Sequence, residues 1–457
     1  MENDGNFNVA AQGLRQPGST IKPFAYAAAF KKGYTPDTVV FDVETEFDAT
    51  GDPEKSYKPN NFDEMFRGPV TFRQGLSQSI NIPSIKALYL AGIDNVLKLV
   101  KDFGVTTLTE RSRYGLSLVL GGGEMKLTEL VHAYSVFAQD GIRHKQSFIL
   151  SVTDNGRVME EYQDEPAQVM EAQYARLINN ILSDTESRSV LLQNSLGLTI
   201  FPNQEVALKT GTTNDYRDAW AVGYNKSLVV GVWAGNNDNT PMQKKGSSLL
   251  AAIPIWSPFM REALRDRPSE SFVQPDPVFV EKPILKGEYL VNFWNGNEKY
   301  PHIHDILFYV DKNDPLGPIP VNPEKDSQFL NWEEPAIVWA KTNIANFDAI
   351  YNKPLPAGSY LKNESESSLN IEIISPANGS FMKNPLILAL NLKSSSGIKK
   401  LEIFFNGLLI DQQSNLGKEN TYVKNFNIVN PELQNILKIS ATDELNNKTS
   451  RELILYK

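Results

Sequence analysis

Ser19-Thr20-Ile21-Lys22-Pro23-Phe24-Ala25-Tyr26-Ala27-Ala28-Ala29-Phe30-Lys31-Lys32-Gly33 reads as a helix that is apolar all round, and therefore as one buried at the centre of a domain. Pro17-Gly18 turns the chain into it, and the closing lysines and Gly33 suit a helix C-terminus. Two polar residues stand at its start. Positions three apart share a helix face, so the Lys22 ammonium can reach the Ser19 hydroxyl. A serine hydroxyl is a poor nucleophile without a base beside it, and a lysine becomes that base when burial and a second cation depress its pKa. The helix N-terminus adds a favourable field for the developing alkoxide and a free N–H for an oxyanion. Alone, Ser-x-x-Lys carries little: a chain this long holds about one or two by chance, and the plain alternative is a helix cap with a snorkelling lysine.

Downstream, helical patterns cover Ile85–Phe103, Lys126–Gln139 and Glu171–Ser183. The period then changes to that of strands at Val206–Gly211, Ala219–Tyr224 and Leu228–Ala234, as in an antiparallel meander, and Ala251–Arg265 returns to a helix expected to pack on that sheet. Residues 1–266 are thus expected to form one mixed α/β (α+β) domain, an antiparallel sheet with helices. Two further short motifs fall inside it. Ser79-Ile80-Asn81 precedes Pro83, and by itself reads as a capped turn before a helix. Lys209-Thr210-Gly211-Thr212 ends the first strand of the meander; its plain reading is a strand edge, with Gly211 allowing another backbone, such as a substrate's, to approach closely.

In this order, S-x-x-K, S-x-N and K-T-G resemble the signature set of penicillin-binding proteins and serine β-lactamases. The flanks extend the likeness to bifunctional class A penicillin-binding proteins. Phe7-Asn8-x-Ala10 and Arg15-Gln16-Pro17-Gly18 resemble their approach to the nucleophile. Gly121-Gly122-Gly123-Glu124, Leu127-Thr128 and Ala133-Tyr134-x-x-Phe137-Ala138-x-x-Gly141 resemble their helical segment. Asp218-Ala219-Trp220-x-x-Gly223-Tyr224 and Pro254-Ile255-Trp256-x-x-Phe259-Met260 resemble their strand turn and closing helix. The Pro-rich stretch and the C-terminal β region are most similar to the 1C subtype.

The resemblance implies a penicillin-binding transpeptidase fold and a serine D,D-transpeptidase of peptidoglycan biosynthesis, acting outside the cytoplasmic membrane. Ser19 would attack the carbonyl between two terminal D-alanines of a stem peptide, with Lys22 accepting its proton. Ser79 would relay a proton to the leaving amine, and Asn81 would position the substrate amide. Lys209 would supply positive charge near the substrate carboxylate and help hold Lys22 neutral. Thr210 and Thr212 would hydrogen-bond the substrate beside Gly211, and the backbone N–H groups of Ser19 and Thr212 would form the oxyanion hole. An amine from a neighbouring stem would take the acyl group, and β-lactams would trap Ser19. No cofactor is implied.

The remainder of the chain bounds these expectations. With 45 basic against 54 acidic residues, a net charge of −9, the composition argues against a nucleic-acid partner. There is no cysteine, which excludes disulfides and thiolate chemistry. His302-x-His304 is an isolated pair, and no metal is expected. Residues 267–365 are dense in proline and read as a connecting region, and 366–457 as six short strands of an immunoglobulin-like sandwich. That sandwich shows no binding signature of its own; a cell-wall protein partner for it rests on analogy of fold. No run is apolar enough for a membrane span and no leader is read, so the family's membrane anchor and glycosyltransferase are not expected here.

In the family two strands precede the nucleophile, whereas Met1 lies 18 residues ahead of Ser19. A fragment or internal start is expected, with an exposed apolar edge near Leu228–Ala234 and reduced stability in a melt against an extended chain. Three alternatives stay open: a D,D-carboxypeptidase, a β-lactamase (although no persuasive Glu-x-x-x-Asn base is found), and an inactive truncated fragment or penicillin-binding sensor module.

Overall fold

The computed structural model describes residues 7–243, 246–361, 369–377, 380–444 and 448–457. The chain divides into two compact units, Met1–Tyr360 and Leu361–Lys457. The boundary expected at 365/366 lies outside the described residues.

The decisive stretch forms in two pieces. Gly18, with φ +54, opens a 3-10 turn over Gly18–Ile21 that passes directly into helix α1, Lys22–Lys32. Pro23 sits in the first turn of α1, where its missing N–H has no carbonyl to meet. Gly33 closes the helix at φ +111, its N–H bonding the carbonyls of Ala29 and Phe30. Every residue from Lys22 to Phe30 is buried. Phe24 meets Phe103, Tyr134 and Phe137, and Tyr26 meets Phe72, so helices from across the unit close over α1.

After α1 the chain forms an antiparallel pair that the sequence reading did not anticipate, β1 (Val39–Asp42) with β2 (Gly68–Thr71), whose loop carries residues 43–67. The short helix α2 (Phe72–Ser77) follows, begun by a Thr71/Gln74 capping box. The helix expected over Ile85–Phe103 is two helices, α3 (Asn81–Ala91) and α4 (Ile93–Asp102). Gly92 divides them at φ +88, a backbone conformation that no helix interior accommodates. Further on, α5 (Leu127–Ala138) and α6 (Ala172–Ser183) fall where helices were expected.

The meander is present as β3 (Ala207–Thr212), β4 (Asp218–Tyr224) and β5 (Val229–Gly235), ordered β3-β4-β5. Helix α7 (Ile253–Leu264) packs on it through Trp256, which is fully buried against Gly223 and donates its indole N–H to Val230 O at 3.1 Å. Strand β5 is an edge of this sheet, as expected, but its side chains are half-buried rather than exposed. Its Gly231 lies against Val131 and Leu127 of α5.

Residues 267–360 were expected to connect two domains, yet they fold within the first unit. A hairpin, β6 (Leu290–Asn295) with β7 (Glu298–Ile303), and helix α8 (Phe329–Asn343) form a cluster with β1 in which Ile303, Ala336, Ala340 and Phe347 bury Phe41 and Val43. Lys86 of α3 and Asp305 pair at 2.9 Å with both side chains fully buried, and Lys86 also lies 4.8 Å from the Trp332 ring. Several of the prolines that suggested a linker instead start 3-10 turns, at Pro283 and Pro323.

The second unit is all β, and its sheet is continuous. The strands expected at Leu386–Leu392 and Lys400–Phe405 are the two ends of one 20-residue strand, β9 (Leu386–Phe405). Its first half pairs with β8 (Asn370–Ser375), its second half with β11 (Gln434–Asp443), and both halves with β10 (Leu408–Phe426). β12 (Lys448–Tyr456) completes the sheet against β11. The strand folds over so that Leu388, Leu390, Leu401, Ile403, Leu437, Ile439 and Leu455 share one core. Five strands, four of them of nine residues or more, therefore stand where six short ones were expected.

Among the described residues no helix is long and apolar enough to cross a membrane.

Candidate active site

Three segments meet where α1 begins. Lys22, completely buried, directs Nζ to three oxygens: Ser79 O at 2.6 Å, Asn81 Oδ1 at 2.9 Å and Ile80 O at 3.2 Å. From the other side, Lys209 Nζ donates to Ser79 Oγ at 2.7 Å and Thr210 O at 2.9 Å. Lys22, Ser79, Asn81 and Lys209, separated by up to 187 positions, thus form one hydrogen-bonded cluster. Ser19 lies one turn before Lys22, and Lys22 N–H donates to Ser19 O. The Ser19 hydroxyl makes no hydrogen bond to the described residues and is half-buried.

Burial pushes the Lys22 pKa well below its ordinary value, and Lys209 pushes it further; Asp42 pulls the other way. The three oxygens around Nζ suit an ammonium, whereas a neutral amine can donate to only two of them and then offers a lone pair. The desolvation of a fully buried amine opposes the ammonium that these oxygens favour. Burial also lowers Lys209, to about 7.

Folding therefore expels a proton from Lys209 that the unfolded chain retains up to about pH 10. Between pH ~7 and ~10 the unfolded state binds more protons, so stability rises with pH. In Lys209→Met this slope is expected to fall by about one proton, about 1.4 kcal/mol per pH unit. Denaturant melts at several pH values read it directly, and an unchanged slope would mean that Lys209 is not depressed.

The strand that supplies Lys209 is the other edge of its sheet. Thr213 N–H turns inward to Asp218 O, so by alternation Thr212 N–H points out of the sheet. Gly18 lies there: a Cβ on it would stand 3.0–3.1 Å from the Thr212 backbone. The Thr212 hydroxyl is within 3.0 Å of Ser248 N–H and 3.2 Å of Ser248 Oγ, and Thr210 is buried. Gly211 was expected to admit a substrate backbone. What approaches it is the chain itself, since a Cβ there would stand 2.5 Å from Pro17 O and 3.1 Å from Thr20 N.

The nucleophile turn is also pinned from residues to which the sequence reading gave no role. Tyr134 OH donates to Thr20 O at 2.6 Å, and Trp220 Nε1 donates to Gln16 O at 2.8 Å. Gly121, at φ +100, is pressed against Gly18. Arg15 and Met125 exchange backbone hydrogen bonds, and the Arg15 guanidinium lies 5.4 Å from the Trp233 ring, whose N–H donates to Asp218 Oδ1. These contacts account for the flanking residues around Arg15, Gly121, Tyr134 and Asp218-x-Trp220. The sequence reading gave no role to Asn61, whose side-chain oxygen accepts from the backbone N–H of Asn81. His302 and His304, in turn, bond one another at 3.1 Å, and His304 bonds Glu333 at 2.5 Å. No group among the described residues could hold a metal ion.

Comparison with known proteins assigns the chain to a family. Residues 2–260 match the family model described as the penicillin-binding protein transpeptidase domain. The chain belongs to that family. Penicillin-binding protein 1A of Neisseria lactamica is 34% identical over 278 residues, covering 60% of this chain and 34% of that protein. Penicillin-binding protein 1A of Aquifex aeolicus is 36% identical over 272 residues, covering 59% and 36%. The chain thus spans about a third of the length of these curated relatives. Among solved structures, penicillin-binding protein 1A from Haemophilus influenzae aligns at TM-score 0.55 with 28% identity, over 65% of this chain and 49% of that one. The PonA1 protein of Mycobacterium tuberculosis, solved in complex with penicillin V, shares the fold at TM-score 0.52 and 24% identity, over 60% and 76%. The expected 1C subtype is not supported: these relatives carry the 1A name, and the C-terminal β unit that suggested 1C lies outside the matched residues.

Proposed function

We propose that the chain is a peptidoglycan D,D-transpeptidase that acts through a serine acyl-enzyme and is inhibited by β-lactams, outside the cytoplasmic membrane where its substrate lies. The observation that carries this is the convergence of Lys22, Ser79, Asn81 and Lys209 immediately behind the Ser19 turn. Ser19 Oγ attacks the carbonyl carbon between the last two D-alanines as its proton passes to Lys22. The oxyanion is held by the N–H groups of Ser19 and Thr212, the latter at the free sheet edge. Collapse breaks the C–N bond, and the leaving D-alanine takes a proton through Ser79, whose hydroxyl lies against Lys209. An amine of a second stem peptide then attacks the ester, the C–O bond breaks, and a proton of the amine returns to Ser19 Oγ through Ser79 and Lys22, leaving the amide cross-link and the free serine. Asn81 engages the substrate amide through its remaining N–H, and Lys209 with Thr210 and Thr212 faces the terminal carboxylate. A D,D-carboxypeptidase would hand the acyl group to water instead, and a β-lactamase would release its adduct quickly.

The test is incubation with a fluorescent penicillin, followed by intact mass and peptide mapping, then with a D-Ala-D-Ala peptide and an acceptor amine. A long-lived adduct on Ser19 and an amide product support the proposal. Rapid loss of the adduct would instead indicate a β-lactamase, and hydrolysis without amide product a carboxypeptidase. An adduct on another residue would sink the assignment of the nucleophile.

A further inference from the structure

The loop between β1 and β2 reaches the site at one point. Asn61 is buried and uses all its hydrogen-bonding capacity. Its Oδ1 accepts from the backbone N–H of Asn81 at 3.0 Å and of Ile82 at 3.2 Å, two of the unpaired donors that begin α3. Its Nδ2 donates to Asp42 Oδ1 and to Met65 O, each at 2.7 Å. The neighbouring Asn60 carbonyl accepts from Asn81 Nδ2 at 2.8 Å. Asp42 is buried, and its second oxygen accepts from Arg67 N–H at 3.1 Å, with the Arg67 guanidinium at 3.5 Å.

We infer that Asn61 is a positioning residue for acylation: anchored on Asp42, it clamps the first turn of α3, so that Asn81 presents its carbonyl oxygen to Lys22 and one N–H to the substrate. This inference rests on the function proposed above. Asn81 Oδ1 is committed to Lys22 and one N–H to Asn60, so the direction of its remaining N–H is fixed by residues 60 and 61. α3 has no side-chain cap of its own, so Asn61 supplies the acceptor for the N–H groups of Asn81 and Ile82. A space-filling role would need neither the acceptor toward α3 nor the donor toward Asp42. The clamp needs both, and that difference is testable.

Asn61→Asp keeps the acceptor and destroys the donor, setting two carboxylates against each other. The double variant Asp42→Asn with Asn61→Asp restores the hydrogen bond between these two residues with reversed polarity, and the original net charge, while the donor to Met65 O stays lost. Acylation by benzylpenicillin is measured as a rate per competent site, with competent sites counted from the adduct at long times. Asn61→Asp is expected to slow the rate by about 10²-fold, the cost of a misplacement of about 1 Å, and the double variant to recover about tenfold or more. A wild-type rate in Asn61→Asp overturns the inference, as does a loss that the double variant leaves unrelieved. Ser19→Ala separates the two levels: if the wild-type chain forms no Ser19-dependent adduct, the functional reading has failed. Hydrogen exchange then decides the clamp alone. Asn61→Ala must speed exchange of the Asn81 and Ile82 amides relative to the rest of α3, and equal protection overturns it.

Discussion

Lys22→Met is expected to slow acylation by benzylpenicillin by about 10³-fold or more, within the range that a positioned general base contributes, while leaving the fold in place. Methionine matches the unbranched shape of lysine and fills the same buried space, but it cannot take the Ser19 proton. The structural cost is small for a reason visible in the partners. Ile80 O keeps a donor, since Ser84 Oγ bonds it at 2.6 Å. Ser79 O loses Lys22, at a cost of about 1–3 kcal/mol for an unmet buried acceptor, and Asn81 Oδ1 loses it as well, on a side chain only half-buried. Removing an amine whose burial disfavours its charge works in the opposite direction. The pH profile separates a base from a mere spacer. With the wild-type chain, the rate should rise as pH passes upward through the lowered Lys22 pKa, because only the neutral amine accepts a proton. In Lys22→Met that limb should vanish. If the rate stays within about tenfold of wild type, or the limb persists, Lys22 is not the base.

The sequence pointed to candidate residues for this site more readily than to the contacts that hold them. Ser19, Lys22, Ser79, Asn81 and Lys209 were legible because each sits in a motif whose order is informative and whose chemistry restricts the residue types. α1 was legible because an uninterrupted apolar run with a glycine stop leaves few other interpretations. The clamp was not. Asn61 and Asp42 act by forming hydrogen bonds across 20 and 19 positions, and a buried asparagine looks no different in sequence from one in a solvated turn. Residues 267–360 were misread for a related cause. Proline density suits a linker, while the contacts that bind the region to the rest of the unit include a buried ion pair between positions 219 apart and a shared apolar cluster. No local pattern announces such a pair. The break at Gly92 was available in the sequence, but the apolar periodicity on both sides outweighed a single glycine. In the second unit, Ser394 to Gly397 is a bulge within the single strand β9, where the register with β10 shifts between Lys393 and Ile398 and Gly397 takes φ +96.

Gly211→Ala is expected to slow acylation by about 10²-fold and to lower stability by about 1–3 kcal/mol, although the new methyl group touches no catalytic side chain. Its Cβ would stand 2.5 Å from Pro17 O, which accepts both Thr20 N–H at 3.2 Å and Thr20 Oγ at 2.7 Å and so holds the 3-10 turn together. The turn cannot simply withdraw. Trp220 holds Gln16 on one side of it and Tyr134 holds Thr20 on the other. Nor can the strand withdraw, since β3 is paired along its length with β4. Relief must come from a shift of the Ser19 backbone away from Thr212, which opens the oxyanion site and moves the hydroxyl relative to Lys22. If the glycine served only to let a ligand pass along β3, the result would differ. A bulky penicillin would then acylate slowly while the bare penicillin nucleus, with no side chain to collide, reacted at the wild-type rate. Because the obstruction lies between β3 and the nucleophile turn, both compounds should lose reactivity by the same factor, and a selective loss for the bulky one would show that the close approach at Gly211 belongs to the ligand instead.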